Sequence, residues 1–156
     1  MKTKIFTDTN WLVAAYLAVT ERTELVERVG RKYEGLAWHI TPPVLMETRV
    51  AIARESGEAH SAEWKRICGD LSHRLMLEGH WQTLEKEAAK LADRYAPKGN
   101  VGTFDLFVLA GALHGDATHF FSFDTGSNLR ALAALEKLET IPVLTPDDKQ
   151  RMGQFR

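Results

Sequence analysis

Short apolar runs alternate with helical segments along this chain of 156 residues. The apolar runs predict strands at residues 4–7, 36–40, 119–123 and 140–144, with a brief extended piece at 80–83. The intervening patterns predict helices at residues 11–19, 21–32, 44–54, 58–78, 84–96, 103–115 and 127–138. Strands that alternate with helices form parallel sheets covered on both faces. We therefore expect an α/β fold with three layers, α/β/α, around a central parallel sheet.

The length of the chain is suited to one compact domain with a real hydrophobic core. No internal repeat and no linker rich in serine, glycine or proline divides the sequence. Beyond the last predicted strand the residues are polar. We expect a single domain over residues 1–145, followed by a loosely held polar tail at residues 146–156.

Charge and composition exclude several classes of protein. The net charge is −1, so binding to nucleic acid would need a local patch or a metal ion and not bulk positive charge. No apolar run approaches the roughly 18 residues that a membrane span needs, and Asp8 and Asn10 interrupt the N-terminal run too early for a signal peptide. The single cysteine, Cys68, excludes an internal disulfide and a cysteine-rich zinc site. We expect a protein of the reducing cytoplasm.

Two aspartates follow apolar strands directly. Asp8 ends the first predicted strand, and Asp124 follows the strand run "HFFSF". In open parallel sheets the carboxyl edge of the strands is where ligand sites gather. We therefore expect these two carboxylates to lie close together at one edge of the sheet.

Two further acids lie on the apolar faces of predicted helices. Glu47 shares a helix face with Val44, Val50 and Ala51. In the helix "TFDLFVLAGALHG", which is apolar on nearly every side, Asp105 shares a face with the residues three, four and seven positions on, Val108, Leu109 and Ala112. Both positions would bury a carboxylate.

Burial of a carboxylate without a partner costs several kcal/mol, so the group takes up a proton or finds a cation. No cluster of lysine or arginine accompanies these four acids in the sequence. A hard divalent cation, Mg²⁺ or Mn²⁺, would neutralise them and could activate water against a phosphate. Each acid also has an ordinary structural explanation, since Asp8 could cap the following helix and Asp105 could favour a helix dipole.

The stretch Asp124-Thr125-Gly126-Ser127 also matches the catalytic loop of pepsin-type aspartic proteases. That site needs a second copy and a β-rich lobe, whereas this chain has one copy and is mostly helical around it. Ser127 is better explained as the N-cap of the next helix. A phosphotransfer enzyme of the haloacid-dehalogenase kind is another alternative, but it requires a second aspartate where this chain has Asn10.

The ordered set of acidic stretches resembles the PIN-domain family, and within it the VapC-type toxins of bacterial toxin–antitoxin pairs. The stretches are "IFTDTNWLVAAY", "VLMETRVAIA", "TFDLFVLAGAL" and "HFFSFDTGSNLRALA", and the likeness runs from about residue 4 to residue 144. Each motif alone is weak, whereas the four in this order are specific. The resemblance implies a PIN-like fold. It also implies that Asp8, Glu47, Asp105 and Asp124 are the catalytic and metal-binding acids, with Asn10 and Ser122 as supporting polar residues.

The same resemblance implies function and partners. It implies an endoribonuclease that depends on Mg²⁺ or Mn²⁺, acts on RNA and is restrained by a small VapB-like antitoxin. Together with the Trp- and Leu-bearing helices between residues 11 and 77, it also suggests a homodimer. One departure is Phe107, at a position where many relatives carry histidine. A PIN-like module that binds RNA without cleaving it remains an alternative.

Other polar and aromatic residues carry weaker signals. Arg49, Arg54 and Arg130 lie near the acidic motifs in sequence, and each fits either a phosphate contact or a solvated helix face. Four tryptophans could stack on bases but are more typical of core or interface packing: Trp11, Trp38, Trp64 and Trp81. We leave all of these out of the predicted site.

Overall fold

The computed structural model describes residues 2–17, 20–55 and 58–156. Five strands form one sheet in the order β3-β2-β1-β4-β5, and every neighbouring pair is parallel. The strands are β1 (Ile5–Thr7), β2 (Trp38–Ile40), β3 (Leu75–Leu77), β4 (His119–Phe121) and β5 (Glu139–Ile141). The predicted central parallel sheet is confirmed.

Eight helices flank the sheet within the described part of the chain, which confirms the three-layer α/β/α architecture. They are α1 (Thr9–Tyr16), α2 (Thr20–Lys32), α3 (Pro42–Arg54), α4 (Glu58–Asp70), α5 (Trp81–Tyr95), α6 (Thr103–His114), α7 (Leu129–Leu135) and α8 (Pro146–Phe155). None of the helices so described is long and apolar enough to cross a bilayer. The predicted helix at residues 11–19 forms as α1, and residues 18–19 lie outside the described residues.

The two faces of the sheet support two hydrophobic cores, because successive strand side chains point to opposite faces. Phe6 and Phe120 point into the larger core, which includes residues of α3 to α7. Ile5 and Phe121 point into the smaller core, which includes residues of α1 and α2. Helix α6 is buried over most of its length, as its apolar sequence predicts. The sheet therefore forms the middle layer, and its strand ends position the loops.

The region between α4 and α5 differs from the prediction. The pattern of Ile67, Leu71 and Leu75 suggested one helix through residue 78, but α4 ends at Asp70. Ser72 then takes a left-handed conformation with φ of 70°, and the chain continues as β3. The extended piece predicted at residues 80–83 is therefore wrong, since the strand comes earlier and α5 already begins at Trp81.

The polar residues after β5 are not a loose tail. They form α8, whose first turn is closed by a capping box in which Thr145 and Asp148 bond each other's backbone N–H groups. Phe155 near its end is buried against the ring of Tyr95, with ring centroids 6.0 Å apart. The few apolar residues of this segment were too sparse to predict a docked helix.

Candidate functional site

The central strands β1 and β4 bring the first and last acidic motifs together. Thr7 and Phe121 are aligned partners at the ends of these strands. One residue further on, the backbone N–H of Asp8 donates to the carbonyl oxygen of Phe121 at 2.8 Å. Asp8 and the segment that carries Asp124 therefore leave the sheet side by side, as their positions after apolar strands predicted.

Asp8 is buried, with 5% of its surface exposed. One carboxylate oxygen accepts the backbone N–H of Thr9 at 2.8 Å, and the other accepts the hydroxyl of Ser122 at 2.8 Å. Asp8 is the N-cap residue of α1, so the capping role considered from the sequence is real. The same side chain also lines the acidic cavity described below, and one role does not exclude the other.

Asn10 and Ser122 fix the segment that follows β4. The side-chain oxygen of Asn10 accepts the backbone N–H of Phe123 at 2.9 Å. The hydroxyl oxygen of Ser122 accepts the backbone N–H of Asp124 at 3.0 Å while its proton goes to Asp8. The two residues predicted to be supporting polar groups thus bind the backbone on either side of Phe123.

Asp124 is held by the turn that follows it. Its two carboxylate oxygens accept the backbone N–H of Gly126 at 3.1 Å and the hydroxyl of Ser127 at 2.6 Å. The hydroxyl oxygen of Ser127 also accepts the backbone N–H of Leu129 at 3.2 Å. The N-cap residue of α7 is nevertheless Asn128, so the N-cap predicted at Ser127 is one residue too early. This turn follows a strand of a parallel sheet and not a strand of a β-rich lobe, which removes the basis of the protease alternative.

The other two acids come from helices. Glu47, half-buried on α3, accepts the hydroxyl of Thr9 at 3.2 Å. Asp105 lies in the first turn of α6. The predicted apolar face around Glu47 is only partly present, since Val44 is buried whereas Val50 is 38% exposed.

A glycine sets the distance between these two helices. A Cβ atom added at Gly111 of α6 would lie 2.0 Å from Cγ2 of Thr41, the residue that precedes α3. No side chain fits in that space, so the backbone of α6 can approach the start of α3 closely. The close approach brings the helix that carries Asp105 next to the helix that carries Glu47.

All four predicted acids line one cavity of about 260 Å³. Its walls also include Thr9, Asn10, Val13, Ala14, Arg22 and Ala51. Three other cavities are larger, at about 690, 570 and 460 Å³, but none of the three is lined by any of the four acids. We give more weight to the smaller cavity because all four acids line it.

Negative charge dominates the electrostatics of the cavity, which has four acids and Arg22 in its walls. Burial raises the pKa of Asp8 from 3.8 to about 7, and the neighbouring charges of Glu47 and Asp124 add to it, against hydrogen bonds from Ser122 and Thr9 that lower it. Burial, followed by the charge of Asp124, also raises the pKa of Asp105. Burial likewise raises the pKa of Glu47, with contributions from Asp105 and Asp124. The charge of Asp124 thus makes ionisation of the other three acids harder.

This donor set is suited to a hard divalent cation, because carboxylate oxygens that repel one another are the ligands such an ion prefers. The acids face one cavity without already enclosing an ion. Within the described part of the chain, no three His, Cys, Asp or Glu side chains are positioned to hold a metal. The carboxylate donors fit Mg²⁺ or Mn²⁺ by their chemistry. To bind one ion together, the four carboxylates would have to move closer to one another.

Arg22 of α2 was missed in the sequence. It lines the acidic cavity, and its guanidinium lies 4.9 Å from the centroid of the Phe123 ring. That ring in turn stacks on Trp11 with a centroid distance of 4.7 Å. Nothing in the local pattern of α2 distinguishes Arg22 from the other charged residues of that helix, so only the tertiary structure reveals it.

The three arginines considered from the sequence lie elsewhere. Arg130 is buried, with 1% of its surface exposed, so it is neither a phosphate contact nor part of a solvated face. Arg49 packs over the ring of Trp64 at 4.7 Å, and Arg54 is exposed at the end of α3. Of the tryptophans, Trp11 is fully buried, whereas Trp81 is half exposed and contacts Phe107.

Comparisons with known proteins agree with this geometry. A family model described as PIN domain matches residues 5–135. No curated protein sequence matches the chain significantly.

Several solved structures share the fold. VapC20 of Mycobacterium tuberculosis, described as a toxin that cleaves the sarcin-ricin loop, is 21% identical with a TM-score of 0.63, covering 79% of this chain and 92% of its own. VapBC-1 of nontypeable Haemophilus influenzae is 16% identical with a TM-score of 0.62, covering 88% and 96%. A toxin–antitoxin complex from Klebsiella pneumoniae is 18% identical with a TM-score of 0.58, covering 92% and 98%.

Proposed function

The chain belongs to the PIN-domain family, and from this premise we propose that it is a metal-dependent endoribonuclease that hydrolyses RNA phosphodiester bonds. The observation that carries the proposal is the convergence of Asp8, Glu47, Asp105 and Asp124, from four separate elements, on one cavity. PIN-domain nucleases generally use divalent metal ions. A cavity lined by four carboxyl groups offers the oxygen ligands that such an ion prefers.

The four acids would hold Mg²⁺ or Mn²⁺, with Asp8 and Asp124 supplied by the strand ends and Glu47 and Asp105 by the helices. When bound, the ion supplies Lewis acidity, which polarises the scissile phosphate and makes water a better nucleophile. Burial raises the pKa of Asp8 to about 7, so this carboxyl would have to release a proton to hold the ion near neutral pH. Asp8 would therefore bind the ion more readily as pH rises.

The remaining residues of the cavity would position the substrate. Arg22 is the cation among the residues that line the cavity, and its planar guanidinium is suited to a phosphate oxygen of the RNA. Its stacking on Phe123 orients it before substrate arrives. Asn10 and Ser122 would keep the Asp124 segment in register with Asp8, since both bind its backbone.

We further propose that the protein is the toxin of a VapBC-type pair and acts in the cytoplasm. Support comes from the fold shared with a described toxin and with a toxin–antitoxin complex. Its partner would be a small VapB-like antitoxin, and its substrate a structured RNA. Co-purification of a small protein from the native host tests the partner.

A homodimer is part of the same proposal. Several large apolar side chains are exposed, two of them on α3 and two at the end of β3 and the start of α5: Met46, Val50, Leu77 and Trp81. Burial of such side chains between two copies would remove apolar surface from water. Light scattering at micromolar concentration should show a mass twice that of the chain, and a monomer alone would contradict the dimer.

The central test is cleavage of labelled RNA by purified protein with Mn²⁺ or Mg²⁺, compared with the same reaction in EDTA. Cleavage should require the metal and should be lost in an Asp8→Asn, Asp105→Asn double variant. Asp93→Asn, which alters an exposed carboxylate on α5, is the matched control and should remain active.

The runner-up is a PIN-like module that binds RNA without cleaving it. It is favoured by the observation that no three acids among the described residues already form a metal site. RNA binding without metal-dependent cleavage would support it over the nuclease. The haloacid-dehalogenase alternative has no such support, because Asn10 occupies the position of its second aspartate and binds the backbone of Phe123.

A further inference from the structure

Arg130 of α7 is a fully buried cation that contacts three backbone carbonyls and one carboxylate. It donates to the carbonyl oxygens of Ser122, Pro142 and Val143 at 2.5, 2.7 and 2.9 Å. Its Nε donates to the carboxylate of Asp148 at 3.1 Å, and both side chains are only 1% exposed. The guanidinium therefore ties the ends of β4 and β5 to the C-terminal helix α8.

A buried ion pair of this kind is a weak source of stability. Removing two charges from water costs free energy that their attraction seldom exceeds by much, and apolar side chains of similar size often stabilise as well. The pair does restrict geometry, because the planar guanidinium of arginine can donate good hydrogen bonds only to acceptors in a narrow set of positions. The role of Arg130 therefore depends on which groups it holds in place.

What Arg130 orients is Ser122. The carbonyl of this residue accepts from Arg130, its hydroxyl donates to Asp8 at 2.8 Å, and its hydroxyl oxygen accepts the N–H of Asp124 at 3.0 Å. A single residue thus connects the buried guanidinium to two of the four acids. The path from Asp148 to Asp8 runs through only Arg130 and Ser122.

We infer that Arg130 is a positioning residue for the acidic site, and that Asp148 on α8 makes the C-terminal helix part of the functional unit. This inference rests on the proposed metal-dependent nuclease. Arg130 touches neither substrate nor ion in it. It holds the Ser122–Asp124 segment so that Asp8 and Asp124 can bind one ion together.

Contacts at both ends of α8 support this role. At its start, Asp148 also accepts the backbone N–H of Thr145 at 2.9 Å. Further along, Arg151 donates to the side-chain oxygen of Asn128 at 3.2 Å, just before α7. Lys98 donates to the carbonyl oxygen of Phe155 at 3.2 Å near its end. Arg151 and Lys98 thus hold α8 to the residue before α7 and to the segment after α5, and this fixes the position from which Asp148 contacts Arg130.

The test compares Arg130→Lys and Asp148→Asn with the wild type. Arg130→Lys keeps the charge but loses the fork, and Asp148→Asn keeps the shape but loses the charge. Mn²⁺ affinity is measured by calorimetry with the metal alone, and kcat and KM are measured on labelled RNA. All measurements are made well below the melting midpoint of each variant, so that every protein is folded. We expect Mn²⁺ affinity and kcat to fall about 10- to 100-fold, which is the loss typical when a residue that supports a metal ligand is mutated. KM should be nearly unchanged.

Arg94→Met is the matched control. Arg94 pairs with Glu136, the residue that ends α7, so the control also removes an arginine–carboxylate contact to that helix. It has no link to Ser122, and its Mn²⁺ affinity should equal that of the wild type. A purely structural role for Arg130 predicts a lower melting midpoint for Arg130→Lys and Asp148→Asn, with Mn²⁺ affinity and kcat as unchanged as in Arg94→Met.

The outcomes are distinguishable. Wild-type Mn²⁺ affinity and kcat in folded Arg130→Lys and Asp148→Asn would overturn this inference and leave the nuclease intact. A wild type that neither binds Mn²⁺ nor cleaves RNA would overturn the proposed function and this inference with it. If Arg130→Lys does not fold, Asp148→Asn combined with Ser122→Ala decides. If Asp148 acts through Ser122, the double variant should lose less free energy of Mn²⁺ binding than the sum of the losses in the two single variants. A loss equal to that sum would contradict the inference.

Discussion

The hydroxyl of Ser122 donates a 2.8 Å hydrogen bond to the carboxylate of Asp8 across the carboxyl edge of the two central strands. Residues 114 positions apart in the chain thus meet in one buried contact. This bond favours the ionised form of Asp8 against the burial that disfavours it. Ser122 therefore helps to prepare Asp8 for a cation.

Ser122→Ala should raise the pKa of Asp8 further and weaken Mn²⁺ binding about 10-fold at pH 7. The alanine removes the donor that stabilises the carboxylate and also frees the N–H of Asp124. Mn²⁺ titration by calorimetry at pH 7 and pH 8.5 measures the effect, which should shrink at the higher pH, where Asp8 is ionised in both proteins. A loss of equal size at both pH values would show that the pKa of Asp8 is not the cause.

The metal-free protein should become less stable as pH rises from about 4 to about 7. Asp8 has a pKa of about 7 in the folded state against 3.8 for the free side chain. Over that range the folded state holds a proton that the unfolded chain has released, so raising the pH favours unfolding. The effect is at most on the order of a few kcal/mol. Urea unfolding in EDTA at pH 5 and pH 8 measures it.

Asp8→Asn is the variant that isolates this effect. It removes the titrating group, so the difference in stability between pH 5 and pH 8 should shrink relative to the wild type. Asp93→Asn, on the exposed side of α5, should keep the wild-type difference. An unchanged pH dependence in Asp8→Asn would mean that burial of Asp8 does not govern stability in this range.

A divalent cation should stabilise the fold, because it binds the native cluster of acids and not the unfolded chain. Melting with millimolar Mn²⁺ or Mg²⁺ should raise the midpoint by several degrees, at roughly 2–4 °C for each kcal/mol. The gain should vanish in the Asp8→Asn, Asp105→Asn double variant. An equal gain in wild type and double variant would place the ion elsewhere.

Asp124→Asn should keep the fold and lose RNA cleavage by about a hundredfold or more, since it removes one negative charge from the proposed ligand set. Its stability without metal should not fall, because one source of repulsion with Asp105 and Glu47 is gone. Cleavage is measured on RNA with Mn²⁺ at pH 7.5 and on casein at pH 4. Undiminished RNA cleavage would remove Asp124 from the site, and metal-independent casein cleavage that the variant loses would restore the protease.

Arg22→Gln should raise KM for RNA about 10-fold with little change in Mn²⁺ affinity. The substitution removes the phosphate-binding charge but leaves the carboxylates in place. It should also flatten the dependence of KM on salt, because each phosphate contact releases counterions. Arg54→Gln, at an exposed arginine of α3, is the control. Equal effects of the two substitutions would assign Arg22 to general surface charge.

Local patterns predicted the acids best where a carboxyl group violates its surroundings. Asp8 and Asp124 follow apolar strands, and Asp105 interrupts a helix that is buried on most sides. The signal is weaker at Glu47, because the neighbouring Val50 is exposed. The parallel sheet then follows from the alternation of strands and helices, and it brings the strand ends together. Such violations are visible in the sequence wherever the surrounding pattern is strong.

Long-range partners leave no such trace. Arg130 looked like any charged residue of a helix, because its four acceptors come from residues 8 to 18 positions away on other elements. Arg22 likewise cannot be distinguished in the sequence from the other charged residues of α2. The strand β3 was missed because the apolar spacing of Leu71 and Leu75 stays in helical phase across the turn at Ser72. These features depend on tertiary contacts that periodicity does not encode.

The contact between Gly111 and Thr41 sets a lower limit on the spacing of α3 and α6, the two helices that carry Glu47 and Asp105. Backbone lies against side chain there, with no room for even a methyl group, so the helices cannot move closer together at this point. Mg²⁺ lies about 0.3–0.5 Å closer to its oxygen ligands than Ca²⁺ does. Adjustment to the smaller ion would therefore have to come from the opposite side of the cavity, where Asp8 and Asp124 lie on chain held by hydrogen bonds.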